Sequence, residues 1–189
     1  MLLDNYKGRL LIAQPKCTSS FFQESVVLIV KHNSSGAWGV MLNKEIPDKD
    51  CCLADILNHV GMANLTNVNA PLYIGGPLER SRVCILHTSD WKSSGTTKIT
   101  EGISVTTDIS ILAALSAGTG PLRYRAICGI SSWAPGQLEG EMRGEEPWTD
   151  QHKWLDAPAT VDNVFDVNNE EQWHTAIGQA VCLEVKEWF

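Results

Sequence analysis

Short apolar runs bounded by turn-forming residues constrain the fold of this chain more than any other feature of its sequence. The runs RLLIA, SVVLIVK and GAWGVML are rich in β-branched or aromatic residues, and Gly, Pro, Asn or Ser stands near their ends. Such runs are typical of β-strands. The turn-forming segment HNSSG indicates a hairpin between the second and third runs. Strands are therefore predicted over residues 9–13, 25–31, 36–42, 72–74, 83–87, 103–106 and 122–130.

Two segments in the first two thirds of the chain have helical periodicity. In the first, apolar residues recur at the spacing of one helix face: Leu53, Ile56, Leu57 and Val60. Asp50 precedes them as a candidate N-cap. A second helix is predicted over residues 108–117, with Thr107 or Asp108 as its cap and Gly118 ending it in the left-handed conformation.

A third helix is predicted after NNEE, where Asn168 and Glu171 have the spacing of a capping box. Its apolar stripe consists of Trp173, Ala176, Ile177, Ala180 and Val181. A stripe on one side of a helix indicates that the helix lies flat on the body of the protein.

The predicted strands come in clusters, with helices between only some of them. This order indicates an α+β fold and not the regular alternation of a doubly wound sheet. The sequence has no internal repeat and no linker-like tract, so a single domain over residues 1–189 is expected. We expect one core that contains Val26, Leu28, Val30, Leu112 and Ile177.

Composition and charge limit the classes of function that this protein can have. No apolar run approaches the roughly 20 residues that span a bilayer, so no membrane partner is expected. Asp4, Lys7 and Arg9 interrupt the apolar N-terminal segment, which argues against a secretory signal and for a cytoplasmic location. The net charge is −7, with most of the excess acid from Glu139 onward, and this disfavours duplex nucleic acid as a partner.

Six cysteines are scattered through the chain, and no pair has the two-residue spacing of a zinc or thioredoxin-like motif. We expect reduced thiols, no metal site and no cofactor. The cysteine count alone leaves a redox-responsive thiol protein open as an alternative, for which a sensor cysteine would be acidic and exposed.

Four arginines form the strongest candidate for an anion site. Arg80 and Arg82 lie in GGPLERSR, and Arg123 and Arg125 lie in GPLRYR. Residues two apart in a strand share a face, and each pair follows a Gly-Pro turn whose amide groups can help to hold an anion. The alternative is a surface strand with salt bridges to the acidic C-terminal part of the chain.

The segment ICGISSWAPGQLEGEM supplies the other candidate residues. Trp133 is expected to pack its ring against the fold and to fix a turn that presents Gln137 and Glu139. Glu139 and Glu141 are two apart, so on a helix they would point in different directions and not act as one carboxylate pair. His87 ends a predicted strand and is either a base or ligand or a histidine with a structural hydrogen bond.

In order along the chain, GRLLIAQP, SVVLIVKHNSSGAWGVMLNK, GGPLERSRVCILHT, GTGPLRYRAICGISSWAPGQLEGE and WLDAPATVDNVFD resemble the YqgE/AlgH family of bacterial proteins. The resemblance implies a branched (bifurcated) β-sheet with a small closed β-barrel, flanked by helices. It implies no agreed activity, although some members are labelled transcriptional regulators. The chain departs from the family at Ile130, where a tyrosine is usual, at Ser132 and Ala134, and by an apparent insertion between Glu141 and Trp154.

Three functional hypotheses follow. The leading one is a cytoplasmic, non-enzymatic domain that binds a small anion or a macromolecular partner in a regulatory role. The first alternative is a hydrolase of a phosphorylated or nucleotide substrate that uses His87 or Glu139 beside the arginines; the second is the redox-responsive thiol protein. The sequence leaves the ligand and the oligomeric state open.

Overall fold

The structure is a computed structural model that describes residues 5–17, 19–46, 53–59, 68, 70–147 and 154–186. Within these residues nine strands form one sheet, in the order β6–β7–β5–β8–β3–β2–β1–β9, and β4 pairs with β8 beside this path. The strands are β1 (Arg9–Ala13), β2 (Val26–Asn33), β3 (Gly36–Met41), β4 (Leu72–Ile74), β5 (Leu78–Thr88), β6 (Thr96–Lys98), β7 (Ile103–Thr106), β8 (Tyr124–Trp133) and β9 (Trp154–Pro158).

Five helices are described alongside these strands: α1 (Leu53–His59), α2 (Ser110–Ser116), α3 (Gln137–Arg143), α4 (Val161–Phe165) and α5 (Asn169–Lys186). None of the described helices is both long and apolar enough to cross a membrane. Mixed helices and strands in a curled, largely antiparallel sheet confirm the α+β prediction. The branched sheet, the small closed barrel and the single domain stay predictions.

Strand β2 is buried on both faces and divides the core into two layers. Val26, Leu28 and Val30 belong to one apolar cluster, while Val27 and Ile29 belong to another on the opposite side of the sheet. Successive side chains of a strand point to opposite faces, so a strand in the middle of a covered sheet is apolar throughout. The prediction that Val26, Leu28 and Val30 are buried is confirmed.

The prediction of one core that also contains Leu112 is wrong. Leu112 packs against a third cluster, formed around α1, α2 and the neighbouring parts of β5 and β8, whereas Ile177 packs against the cluster of Val26. The reason is that α2 and α5 cover different parts of the sheet.

Helix α5 covers β1, β2 and β9 through Trp173, Ala176 and Ala180. Trp173 Nε1 donates to the carbonyl of Ala13 at 2.7 Å. The prediction that Val181 belongs to the buried stripe is wrong, since this side chain is 44% exposed. The predicted capping box requires Asn168 Oδ1 to accept from the amide of Glu171. In the structure Asn168 Oδ1 accepts from the amide of Glu170 at 3.5 Å, and the Glu171 amide donates to the Asn168 carbonyl.

Several element boundaries differ from prediction. The strand expected over residues 122–130 begins at Tyr124 and continues to Trp133, because the amide of Leu122 is already bonded to the Asp90 carboxylate. Helix α2 begins at Ser110, and Asp108 Oδ1 accepts from the Ser110 amide at 2.9 Å. Gly118 follows the helix at φ +69°, as predicted. The predicted cap Asp50 and the residue Val60 lie outside the described residues.

Candidate functional site

Helix α3 and the end of β8 form the centre of the candidate site. Gly136 at φ +77° precedes this seven-residue helix and Gly144 at φ +64° follows it, and both have the left-handed backbone that favours glycine. Gln137 Oε1 accepts from the amide of Ala134 at 3.0 Å, which closes the turn between strand and helix. The two glycines thus define the beginning and the end of this short helix.

The carboxylate of Glu141 is buried and accepts three hydrogen bonds. Trp133 Nε1 and Trp154 Nε1 donate to Oε2 at 3.0 and 2.9 Å, and Gln137 Nε2 donates to Oε1 at 2.8 Å. Since the donors lie on β8, β9 and α3, this carboxylate joins the three elements. The Trp154 bond also connects the two ends of the predicted insertion.

Glu139 lies two residues earlier on α3 and has a separate partner. Its Oε1 lies 3.2 Å from His32 Nε2, and the two side chains are 6% and 2% exposed. The amide of Tyr6 donates to His32 Nδ1 at 3.1 Å, so the neutral imidazole carries its proton on Nε2 and donates it to Glu139. Oε2 of Glu139 is buried without a hydrogen-bond partner in the described structure. The two carboxylates do not act as one pair, as predicted.

Trp133 packs its ring in the interior, where it is 5% exposed. Its ring meets that of Trp154 edge-on, with the centroids 6.3 Å apart. The indole N–H donates to the Glu141 carboxylate. The ring packs against the fold as expected, but the turn does not present Glu139, because that side chain is buried against His32.

Arg125 lies in the interior and not on an open face. Its guanidinium donates to the carbonyls of Leu42 at 2.5 Å and Val167 at 3.3 Å, and to Asn169 Oδ1 at 3.1 Å. It also lies 4.9 Å from the centre of the Tyr73 ring. Burial lowers the pKa of Arg125. This arginine joins β8 to the start of α5.

Arg80, Arg82 and Arg123 lie at the surface. Arg123 Nη1 lies 3.1 Å from Asp166 Oδ2, and Arg82 Nη1 lies 2.8 Å from Glu79 Oε2. Arg80 is exposed on β5, where the pairing with β8 is irregular between Leu78 and Val83. The guanidinium groups of Arg82, Arg123 and Arg125 thus engage separate sets of residues. Arg123 and Arg125 do not form the pair predicted from their two-residue spacing.

His87 is fully buried within β5. Its Nδ1 donates to the carbonyl of Thr88 at 2.8 Å, so its Nε2 accepts from Thr106 Oγ1 at 2.9 Å. Burial lowers the pKa of His87, which keeps the imidazole neutral. Of the two alternatives given for His87, the structure thus has the histidine with a structural hydrogen bond. None of the four arginines is among its hydrogen-bond partners.

A surface cavity of about 420 Å³ lies beside Arg123, between the ends of β5 and α4. Its lining includes Asp90, Glu101, Leu122 and Val161. Leu122 is 86% exposed, more than any other large apolar side chain in the described residues. Sequence reasoning did not select Leu122, although its place directly after a Gly-Pro turn was a visible signal.

Glu141 and Trp154 were likewise absent from the candidate site. Their role depends on a contact between distant segments, since Trp154 and Glu141 are 13 residues apart. No short motif encodes such contacts.

Comparisons with protein families and with individual relatives identify the same family. A family model described as AlgH-like matches residues 10–182. A UPF0301 protein of Methylococcus capsulatus is 32% identical over 174 residues, which are 92% of this chain and 90% of the relative. A UPF0301 protein of Cereibacter sphaeroides is 35% identical over 168 residues, which are 88% of this chain and 86% of the relative.

Two solved structures are similar in fold. The solution structure of the AlgH protein from Pseudomonas aeruginosa has a TM-score of 0.74 and 29% identity, and the match covers 95% of this chain and 90% of that one. The crystal structure of a protein from Corynebacterium diphtheriae has a TM-score of 0.68 and covers 90% of this chain and 84% of that one. At 23% identity the second likeness shows the fold alone.

Proposed function

This chain belongs to the AlgH-like family, and from that premise we propose that it is a non-enzymatic domain that binds a protein partner. The observation that carries the proposal is Leu122, a large apolar side chain that is 86% exposed on a firmly held turn. Burial of apolar surface is the dominant favourable term in most protein–protein association.

Three backbone amides donate hydrogen bonds at the turn that presents Leu122. The amide of Leu122 donates to Asp90 Oδ2 at 2.9 Å, and the amide of Arg123 donates to Thr88 Oγ1 at 3.2 Å. The amide of Thr88 in turn donates to the carbonyl of Arg123 at 3.0 Å. A surface that is already ordered loses less conformational entropy on binding, so this turn is suited to recognition.

Charge around Leu122 favours a basic partner segment. The side chains of Asp162 and Glu101 are 88% and 95% exposed, and Glu101 is paired with Lys98 at 2.7 Å. Asp166 lies beside Arg123, and Asp90 lines the same cavity. Arg123 is engaged by Asp166, so its charge is largely compensated. A partner with Lys or Arg beside an apolar residue fits this surface through charge complementarity, whereas a small anion would meet mostly negative charge.

The contacts of the titratable groups support binding over catalysis. His87 and Glu139 are buried, and each forms hydrogen bonds or an ion pair inside the protein. The hydrolase hypothesis needed these groups beside the arginines, which engage other residues. For the redox hypothesis, burial raises the pKa of Cys84 to about 12, which keeps it a thiol.

A cytoplasmic and regulatory role belongs to the same proposal, and the regulatory label of some family members supports it. The finer fold prediction, a branched sheet with a small closed barrel, is also retained as a proposal. It is supported by the pairing of β8 with β3, β4 and β5.

A site-specific crosslinking experiment tests the binding proposal. A photoreactive phenylalanine analogue is placed at Leu122 in the full chain, expressed in the organism of origin, and crosslinked products are identified by mass spectrometry. The matched control carries the analogue at Val181, which is 44% exposed on α5. We expect a product that is specific to position 122 and whose purified protein binds the chain directly.

Substitutions then test the mode of binding. Leu122→Ser should weaken the isolated complex by at least about tenfold, since burial of a leucine contributes about 1.5–3 kcal/mol. Asp162→Asn should reduce the dependence of binding on salt. The proposal is rejected if positions 122 and 181 give the same products, or if Leu122→Ser binds the identified partner as tightly as the wild type.

A further inference from the structure

A second cavity, distinct from the Leu122 surface, lies between α1, β5 and the segment that leads into α2. It encloses about 460 Å³. Leu53 and Leu57 of α1, Val83 and Ile85 of β5 and Ile111 of α2 supply its apolar lining. Small-molecule sites in proteins have this size and consist mainly of apolar residues with a few polar groups.

The polar groups of this cavity are few. Ser81 and Thr107 are hydroxyl-bearing residues of the lining, and Asp108 is the one charged residue in the described lining. Thr106 also lines the cavity, but its hydroxyl is bonded to His87 and Thr96. Asp108 is held ionised, because hydrogen bonds from Ser110 and Ser93 lower its pKa to about 2. The amide of Gly95 also donates to Asp108 Oδ2 at 3.0 Å.

We propose that this cavity is a binding site for a small amphiphile with an apolar body and an uncharged or cationic head group. The apolar walls provide the binding energy for the body of the ligand, and the hydroxyl groups of Ser81 and Thr107 can hydrogen-bond to its head group. The fixed charge of Asp108, with no cation in the described lining to offset it, selects against a carboxylate or phosphate head group. This site is independent of the protein surface around Leu122.

Three probes with the same apolar chain test the proposal: 1-octanol, octylammonium and octanoate, titrated below their aggregation concentrations into the full chain. Binding is followed by calorimetry and by NMR shifts of the Val83, Ile111 and Leu112 methyl groups. We expect saturable binding of octanol and octylammonium, and binding of octanoate at least about tenfold weaker. In the series hexanol, octanol and decanol, affinity should rise about fourfold for each added methylene group.

Two variants on β5 locate the site. Ser81→Trp places a large ring at an exposed lining position and should weaken octanol binding by at least about tenfold. Arg80→Trp is the matched control, since Arg80 is exposed on the same strand but does not line the cavity, and it should leave binding unchanged. Leu122→Ser should also leave it unchanged, which separates this site from the proposed protein-binding surface.

Several outcomes would overturn the proposal. Absence of saturable octanol binding, or methyl shifts that are no larger at Ile111 than at Val181, would reject the site. Octanoate binding as tight as octanol would reject the assigned head-group selectivity. Equal binding by Ser81→Trp and wild type would place the ligand elsewhere, and the methyl shifts provide the same test if Ser81→Trp does not fold.

Discussion

The indole Nε1 of Trp133 lies 3.0 Å from Oε2 of Glu141, and this buried hydrogen bond joins the end of β8 to α3. A helix of seven residues is too short to be stable alone. Its position therefore depends on contacts such as this one and on the two glycines at its ends. The tryptophan serves two purposes here, since its ring fills the interior and its N–H partly compensates a buried carboxylate.

Substitution of Trp133 separates these two purposes. Trp133→Phe retains an aromatic ring but removes one of the three donors to Glu141, and we expect a loss of about 1.5–3 kcal/mol in the free energy of unfolding. Trp133→Ala also removes the buried ring and should cost about 3–5 kcal/mol. Chemical denaturation of both variants measures the difference. Equal stabilities of Trp133→Phe and wild type would show that the N–H contributes nothing.

Arg123 and Arg125 form a matched pair for a second prediction. Arg125→Met leaves the carbonyls of Leu42 and Val167 without their donor, and should lower the free energy of unfolding by at least about 1.5–3 kcal/mol. Arg123→Met breaks an exposed ion pair with Asp166 and should cost no more than about 1 kcal/mol. Urea denaturation curves of the two variants test this order; comparable losses would contradict the structural role of Arg125.

Strong local patterns predicted much of the fold. The run RLLIA was placed at residues 9–13, where β1 lies, and the hairpin between β2 and β3 was expected from HNSSG. Four described elements were not predicted: α3, α4, β6 and β9. Each has three to seven residues, and its few apolar residues are interspersed with polar ones, so no apolar run marks it in the sequence. Tertiary contacts such as the Trp154–Glu141 hydrogen bond hold β9 and α3 together.

The candidate site was predicted less well from the sequence than the fold. The spacing of Arg123 and Arg125 predicted a shared face, but β8 begins only at Tyr124. Arg123 therefore belongs to the preceding turn, while Arg125 points under α5. Trp133, Gln137 and Glu139 were selected from one continuous segment, and the structure brings the first two together around Glu141. Trp133 and Gln137 contact Glu141 and not Glu139 because of the geometry of α3, which was not predicted from the sequence.

The buried imidazole of His87 leads to a prediction of pH dependence. Burial lowers its pKa in the folded protein below the usual value of about 6.5, so the unfolded chain takes up a proton first as the pH falls. Its contribution to stability is complete above about pH 6.5 and is lost progressively as the pH falls toward the folded pKa.

His87→Gln removes this titration. The variant should be less stable than wild type by roughly 1–3 kcal/mol near neutral pH, because a buried hydrogen-bond network is disturbed. Its further loss between about pH 7.5 and pH 5.5 should be smaller than that of wild type, since the remaining ionisable groups are common to both proteins. Urea denaturation at several pH values gives this comparison. Parallel stability profiles would mean that His87 does not titrate differently in the folded and unfolded states.

The His32–Glu139 contact permits a double-mutant test of the second buried carboxylate. Glu139→Leu leaves the His32 Nε2 proton without an acceptor. His32→Phe removes the donor to Oε1 of Glu139, whose Oε2 already has no partner in the described structure. Removal of one member of a buried polar pair costs more than replacement of both by apolar groups of similar size. Each single variant should therefore lose roughly 1–3 kcal/mol.

The double variant should lose less than the sum of the two single losses, with a coupling free energy of roughly 0.5–3 kcal/mol. Since Oε2 of Glu139 has no partner in the described structure, its desolvation is poorly compensated, and the double variant removes this cost. The double variant still lacks the acceptor of the Tyr6 amide that His32 provides. Replacement of exposed Glu145 by Leu, combined with His32→Phe, is the control and should give additive losses. Additivity in the Glu139 cycle as well would show that the 3.2 Å contact carries no interaction free energy.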